Sequence, residues 1–217
     1  MPRWATFDCY GTLIDWDGGV RRALAGLWPE DDAGELLEAY HAVEPEVERE
    51  HPALSYREVM AESTRRIAAG RELSLDDPSA VAGSLPSWEP FSEVPGALAE
   101  LRERGWLLAA LSNTDPDLIA ASLERIGVPF DEVVTAADTG SYKPAHGHWR
   151  VFFERTGAAA DEHVHVAASL SHDIVPAGEL GLTSVWINRL GERPGPEPTR
   201  ELPDLARLPD TLDELVP

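Results

Sequence analysis

Short apolar runs alternate with amphipathic stretches through the second half of this 217-residue chain, and no other feature restricts its fold as much. "WLLAALSN", "FDEVVTA", "HVHVAAS" and "TSVWINR" read as strands. "GALAELRERG", "PDLIAASLERIG", "HWRVFFERTG" and the opening "DIVPAGELG" read as helices between them. Gly105 and Gly127 stand where two of these helices stop, and Pro116 falls in the first turn of the second. Strands that alternate with helices form a parallel sheet wound in right-handed crossovers. Such strands are buried on both faces, which accounts for the unbroken apolar run "LLAAL". "RWATFDCY", at the other end of the chain, is a further buried strand that ends at Asp8. The tail "ERPGPEPTRELPDLARLPD" reads as a proline-rich loop before a short helix after Asp210.

Between the first strand and the alternation lies a polar, helical interruption. "AGELLEAYHAVEPEVERE" and "YREVMAESTRRIAAG" carry apolar residues near the helical period, with Pro45 and Pro52 expected to break the first. "SLPSWEPFSEVPG" marks a boundary. The expected architecture is therefore α/β: a doubly wound, Rossmann-like parallel sheet core from 1–15 and 92–217, with a helical cap, 16–91, inserted after the first strand. In such sheets ligands bind outside the carboxyl ends of the strands, at the switch point. Asp8, Ser112, Asn113 and the stretch 169–173 all fall at or just past strand ends, so residues distant in sequence are expected to meet there, under the inserted helices.

Charge narrows the partners. With 39 acidic against 18 basic residues, a net charge of −21 repels nucleic acid and anionic membrane surfaces and favours a small-molecule substrate. No apolar run reaches the length of a membrane span. Thr6 and Asp8 interrupt any signal-peptide core at the N-terminus, and Cys9, the one cysteine, excludes an internal disulfide. Cytoplasmic residence is the expectation. Of the 18 basic residues, 17 are arginine and one is Lys143. A lysine that survives alone among arginines is either a chance survivor at the surface or a position where a planar guanidinium will not serve. Set between Asp8 and Asp173, its charge would keep both carboxylates ionised, and an ionised, positioned carboxylate is a usable nucleophile.

At these residues the sequence resembles the haloacid dehalogenase superfamily, in four ordered motifs that span nearly the whole chain. "FDCYGTLID" resembles the first, with Asp8 as nucleophile; "LSN" the second, with Ser112; "YKP" the third, with Lys143; and "SLSHDIVPAGELGLTSVWINR" the fourth, with Asp173. Phosphatases of the superfamily carry an acid two residues after the nucleophile, where this chain has Tyr10. Their magnesium ligands in the fourth motif fall where this chain has Ala168 and Ser169. The pattern is more similar to the L-2-haloacid dehalogenase branch, which implies neither metal nor other cofactor. The resemblance implies that Asp8 attacks carbon 2 of a 2-halo acid, expels halide and forms an aspartyl ester, which water then hydrolyses to the 2-hydroxy acid. Lys143 would polarise Asp8, Thr12 would orient it, Ser112 and Asn113 would bind the substrate carboxylate, and Asp173 would position Lys143 or the water. Tyr10 fits this chemistry, since a departing halide needs no proton. A homodimer is common among such proteins. A related hydrolase opening a small strained ring, a magnesium-dependent phosphatase and a non-hydrolytic relative are the alternatives.

Four departures bear on the substrate. The dehalogenases carry a cap arginine that receives the halide; here the matching stretch is acidic, with Glu35, Glu38, Glu44 and Glu46, and His41 or Arg49 would have to substitute. Trp149 stands for a tyrosine six residues after the lysine and is read as facing the substrate. Leu170 replaces an asparagine. His172, next to Asp173, is a candidate to activate water. His146 and His148 read as helix-start residues, and His163 and His165 as alternate positions along a strand. Cys9 and Trp186 are expected in the core, and Trp16 and Trp88 at the hinge or pocket wall.

Overall fold

A computed structural model describes residues 2–193, 195 and 198–217 of the chain. Six strands, β1 (Arg3–Phe7), β2 (Trp106–Ser112), β3 (Glu132–Thr135), β4 (His163–Ala167), β5 (Thr183–Ile187) and β6 (Arg200–Leu202), form one sheet in the order β3-β2-β1-β4-β5-β6. All pairs are parallel. The order reverses between β1 and β4, which opens a crevice at their carboxyl ends. β6 lies in the stretch read from sequence as a proline-rich loop; its three residues pair with Val185–Ile187. Three residues are too few to show a strand pattern. The part of that loop at 194, 196 and 197 lies outside the described residues.

Helices α1 (Trp16–Leu27), α2 (Ala33–Glu50), α3 (Tyr56–Gly70) and α4 (Ala80–Ser84) follow β1 and pack on one another. Asp15 and Asp32 cap the first two through backbone N–H groups, and Ser55 with Glu58 forms a capping box on the third. Pro45 does not break α2, contrary to expectation; it sits inside the helix, and the chain leaves the helix only at His51, before Pro52. A proline removes one helical hydrogen bond, and the buried face formed by Leu36, Leu37, Tyr40 and Val47 holds the helix together on both sides of the gap. At Gly19 a Cβ would lie 2.2 Å from the Trp88 ring, so glycine is what lets α1 approach that ring. Asp115, just past β2, accepts from the N–H groups of Tyr56 and Arg57 at the start of α3, and Tyr142 donates to Leu54 O, so the insertion is tied to the sheet at two points.

The remaining helices are α5 (Val94–Glu103), α6 (Pro116–Ile126), α7 (Ala136–Thr139), α8 (Gly147–Thr156), α9 (Val175–Glu179) and α10 (Leu208–Leu215). One face of the sheet joins Phe7, Val164, Val166 and Leu108 to the main core, and Cys9 packs there. The other face packs Trp4, Ala109 and Leu111 against Trp149 and Phe152 of α8. No helix among the described residues is long and apolar enough to cross a membrane.

Candidate active site

The strand β1 hands its last carboxylate to the crevice. Asp8 N–H still donates to Val166 O at 3.1 Å, so Asp8 is fixed by the sheet before the chain turns. The turn runs through Gly11 at φ +86°, a conformation that side chains rarely adopt, and brings Thr12 back beside Asp8. Thr12 Oγ1 donates to Asp8 Oδ2 at 2.7 Å and accepts from Ala168 N at 2.9 Å. The other oxygen, Oδ1, accepts from Lys143 Nζ at 2.9 Å. That ammonium also donates to Asp173 Oδ1 at 2.6 Å and to Leu111 O at 2.9 Å. An ammonium has three protons, and all three are used.

The side chains of Lys143, Asp8 and Asp173 are 2%, 11% and 1% exposed. Burial alone would lower the Lys143 pKa, but the charges of Asp173 and Asp8 and the hydrogen bonds to them raise it instead. Burial likewise pushes Asp173 up, and Lys143 and His165 overcome it, leaving its carboxyl well below the usual range. Both groups are therefore ionised at neutral pH. Deleting one partner of such a buried pair costs about 3–5 kcal/mol. Asp173 Oδ2 has no hydrogen-bond partner among the described residues.

Asn113 grips the lysine from behind. Its Oδ1 accepts from Lys143 N at 2.6 Å and its Nδ2 donates to Lys143 O at 3.2 Å. Asn113 is among the residues that line the cavity, but these bonds position Lys143, a task not read from sequence. Ser112 lines the same cavity, and its carbonyl accepts from His148 Nε2 at 3.0 Å. His148 is pushed down to about 4 by burial, then by the Lys143 charge, and so is a neutral donor.

Asp8, Lys143 and Asp173 open into a cavity of about 290 Å³, walled on the other elements by Tyr10, His41, Glu44, Glu48 and Tyr56. The Tyr10 hydroxyl pairs with Ser122 Oγ at 2.9 Å, and burial raises its pKa well above the ordinary value. Tyr56 donates to Glu44 Oε1 at 2.7 Å and accepts from Trp16 Nε1 at 3.0 Å. Burial raises the Glu44 pKa, and burial followed by the Glu44 charge carries Glu48 up to about 8. His41, half exposed, shares Asp17 Oδ1 at 2.9 Å, and that hydrogen bond raises its pKa. Arg49 is exposed, and among the described residues no arginine lines this cavity.

Trp149 corrects the sequence reading. It is 1% exposed, lies in the core between α8 and the sheet, and does not line the cavity. The helix that follows Lys143 turns this position onto the sheet, where its ring meets His165 edge-on at 5.2 Å. His172 does line the cavity, and burial lowers its pKa, so it is a neutral imidazole beside Asp173. It stands in a π-helical turn, Leu170–Ile174, whose Ser169 accepts from His172 N.

Several participants were not found from sequence. Glu44 and Glu48 are separated by one helical turn and share the face of Tyr40, a spacing that could have flagged them, while Glu35, Glu38 and Glu46 are exposed. Arg189 donates to Thr12 O at 2.8 Å and pairs with Glu93, bracing the turn after Asp8. His163 and His165 are not passive strand residues: both bond Thr6 Oγ1 at 2.8 Å, and His165 Nε2 lies 3.0 Å from Asp173 Oδ1.

Residues 2–181 match the family model for haloacid dehalogenase-like hydrolases. The chain is 28% identical over 229 residues to the (S)-2-haloacid dehalogenase of Pseudomonas sp. (strain YL), covering 95% of this chain and 93% of that one. It is 27% identical over 223 residues to (S)-2-haloacid dehalogenase 4A of Burkholderia cepacia, covering 99% and 94%. Its fold matches the L-2-haloacid dehalogenase from Xanthobacter autotrophicus with chloropropionic acid covalently bound. There the TM-score is 0.88 at 20% identity, over 98% of this chain and 99% of that one.

Proposed function

The chain belongs to the haloacid dehalogenase-like hydrolases, and from that premise we propose that Asp8 attacks a saturated carbon to form an aspartyl ester, with a 2-halo acid as the substrate class. The observation that carries this reading is the placement of Asp8: one oxygen bonded by the Lys143 ammonium, the other by the Thr12 hydroxyl, and the group open to a small cavity. Such a carboxylate needs only a substrate carbon placed in line with it. The first step makes a carbon–oxygen bond at Asp8 and breaks carbon–halogen, the halide taking the electron pair. Water then attacks the Asp8 acyl carbon. Ser112 and Asn113 contribute to the substrate carboxylate site, and His41, whose pKa the Asp17 hydrogen bond raises, is the group at the mouth suited to the departing halide. Residues 16–91 serve as the cap, since Glu44, Glu48 and Tyr56 wall the cavity that Asp8 opens into.

A second reading draws on the wall itself. Two carboxyls, Glu44 and Glu48, stand where an arginine was expected. They favour a leaving group that carries positive charge or takes up a proton, such as the nitrogen of a strained ring, over a bare anion. Phosphoryl transfer is less favoured. Magnesium asks for several oxygen ligands, whereas Asp8 and Asp173 are bridged by Lys143 and Ala168 offers no side-chain donor. The Tyr10 hydroxyl, engaged with Ser122 and raised in pKa, is poorly suited to protonating a leaving oxygen. Incubation with (S)-2-chloropropionate, with and without chelator, tests the first reading. Equal amounts of chloride and 2-hydroxy acid, unchanged by chelator, are expected. Release of phosphate from an aryl phosphate that stops on chelation would replace the reading with a phosphatase.

A further inference from the structure

Behind the active site a line of polar side chains crosses the sheet. In the register of β1 and β4, Thr6 stands opposite His165, with His163 two residues earlier on the same face. All three are fully buried. Their surroundings are rings: Trp149 lies 5.2 Å from His165, and Phe152 and Phe153 lie 5.3 and 5.2 Å from His163. Polar groups in such a place persist only when bonded to one another. They are: His163 Nε2 to Thr6 Oγ1, Thr6 Oγ1 to His165 Nδ1, and His165 Nε2 to Asp173 Oδ1.

Chemistry fixes one end of this line. An ionised carboxylate only accepts, so His165 Nε2 carries the proton it gives to Asp173. With one proton on the ring, Nδ1 is bare and takes the Thr6 hydroxyl proton. Thr6 oxygen in turn takes the proton of His163 Nε2. That leaves His163 Nδ1 bare, and it is indeed without a partner among the described residues. His163 is pushed down to about 3 by burial, then by His165, so it holds a single ring proton.

We propose that His165 is a positioning residue for the hydrolytic half of the reaction: its Nε2–H and the Lys143 ammonium pin Oδ1 of Asp173, so that the free Oδ2 faces the water that attacks the Asp8 ester. The proposal rests on the aspartyl-ester reading. In the step, water oxygen bonds the Asp8 acyl carbon and one water proton passes to Asp173 Oδ2. The bond from that acyl carbon to the substrate oxygen breaks, its electron pair goes to that oxygen, and the proton held by Asp173 follows. The second water proton leaves Asp8 to solvent, which restores the carboxylate. When Asp8 is esterified its charge is gone, and Asp173 is then the only carboxylate on Lys143; His165 keeps it aimed through that interval. The titratable groups facing Asp173 are Lys143, Asp8, His165, His172 and, from α8, His148.

The test is rapid-quench mass analysis of the Asp8 peptide with (S)-2-chloropropionate across pH, for the wild type, His165→Gln, His165→Phe and Thr6→Val. Glutamine can still present an N–H to Asp173; phenylalanine cannot. In His165→Phe the ester is expected to accumulate, its hydrolysis slowed about tenfold or more while its formation stays within about threefold, because a charge-assisted hydrogen bond to one carboxylate is lost. The acid limb of the hydrolysis step should move up in pH, since Asp173 loses a donor that stabilises its ionised form. His165→Gln should recover most of the rate, and Thr6→Val should fall between. Equal slowing of both steps, or no slowing in a folded His165→Phe, overturns the proposal while leaving the ester reading intact. If His165→Phe does not fold, failure of Thr6→Val to slow ester hydrolysis more than ester formation overturns it. No adduct at Asp8 in the wild type overturns the ester reading itself, and this proposal with it.

Discussion

The two walls of the active-site cavity are built on opposite principles. On the sheet side every charge has a partner: Lys143 spends three protons on Asp8, Asp173 and Leu111 O, and Thr12 and His165 take further acceptors. On the helical side two carboxyls, Glu44 and Glu48, face the cavity with few partners, and His41 is already paired with Asp17. Glu44 bonds Tyr56, Glu48 is raised by burial and then by the Glu44 charge, and both are driven toward their neutral forms. A wall whose charges are all paired fixes atoms and fits a reacting group. A wall whose protonation can change fits selection among substrates. The difference teaches that reaction type and substrate choice are held by different elements, and each can be disturbed alone.

The sharpest break comes from Asp8→Asn. The amide keeps the shape but is a far weaker nucleophile, so kcat should fall by at least about a thousandfold. The check is turnover of freshly purified protein, with mass analysis to exclude deamidation, and circular dichroism should show an unchanged fold. Lys143→Arg comes next. A planar guanidinium cannot reach Asp8, Asp173 and Leu111 O from one compact point, so kcat should fall by about a hundredfold while KM moves less than about threefold. Steady-state kinetics on the same substrate decides it, and near-normal kcat would make Lys143 incidental.

Glu48→Gln sharpens the comparison from the other wall. In the unfolded chain Glu48 ionises near 4.5, in the folded protein at about 8. Between these values the native state holds a proton that the unfolded state lacks. Glu48 therefore makes stability fall as pH rises through that window and level off above about 8. The melting temperature of the wild type should decline from pH 5 to pH 8, and Glu48→Gln should flatten that decline. The variant should also shift preference among substrates without the loss seen at Asp8. A pH-independent difference between the two proteins would contradict the buried, protonated carboxyl. The smallest effect is expected from chelator or added magnesium, which should leave turnover unchanged within error, because Ala168 and Ser169 stand where acidic ligands would be needed.

Much of the sheet-side wall was legible in the sequence. Apolar runs located β1, β2, β4 and β5, the strand-end rule then brought Asp8, Ser112, Asn113 and the stretch 169–173 together, and the two carboxylates' need for a positive partner set Lys143 between them. The lone lysine among arginines pointed to a site where geometry matters more than charge. The helical wall was harder to read. Glu44 and Glu48 resemble the exposed glutamates around them until the rotation of α2 is known. Trp149 was misread for a related reason: a position counted from the lysine ignores which face of α8 meets the sheet. The line from His163 to Asp173 depends on register between β1 and β4, and register is a property of strand pairing that no single segment displays. Pro45 shows that a local propensity yields to a buried helix face.

The central claim is that Asp8 itself becomes the ester and is cleaved at its own acyl carbon. Single turnover in oxygen-18 water, followed by mass analysis of the peptide that contains Asp8, tests this directly whatever the leaving group. The account predicts one heavy oxygen in the Asp8 carboxylate and an unlabelled product hydroxyl in the first turnover, since the product oxygen comes from Asp8. Label that appears in the product with none in the Asp8 peptide would mean that water attacks the substrate directly, and would contradict the account.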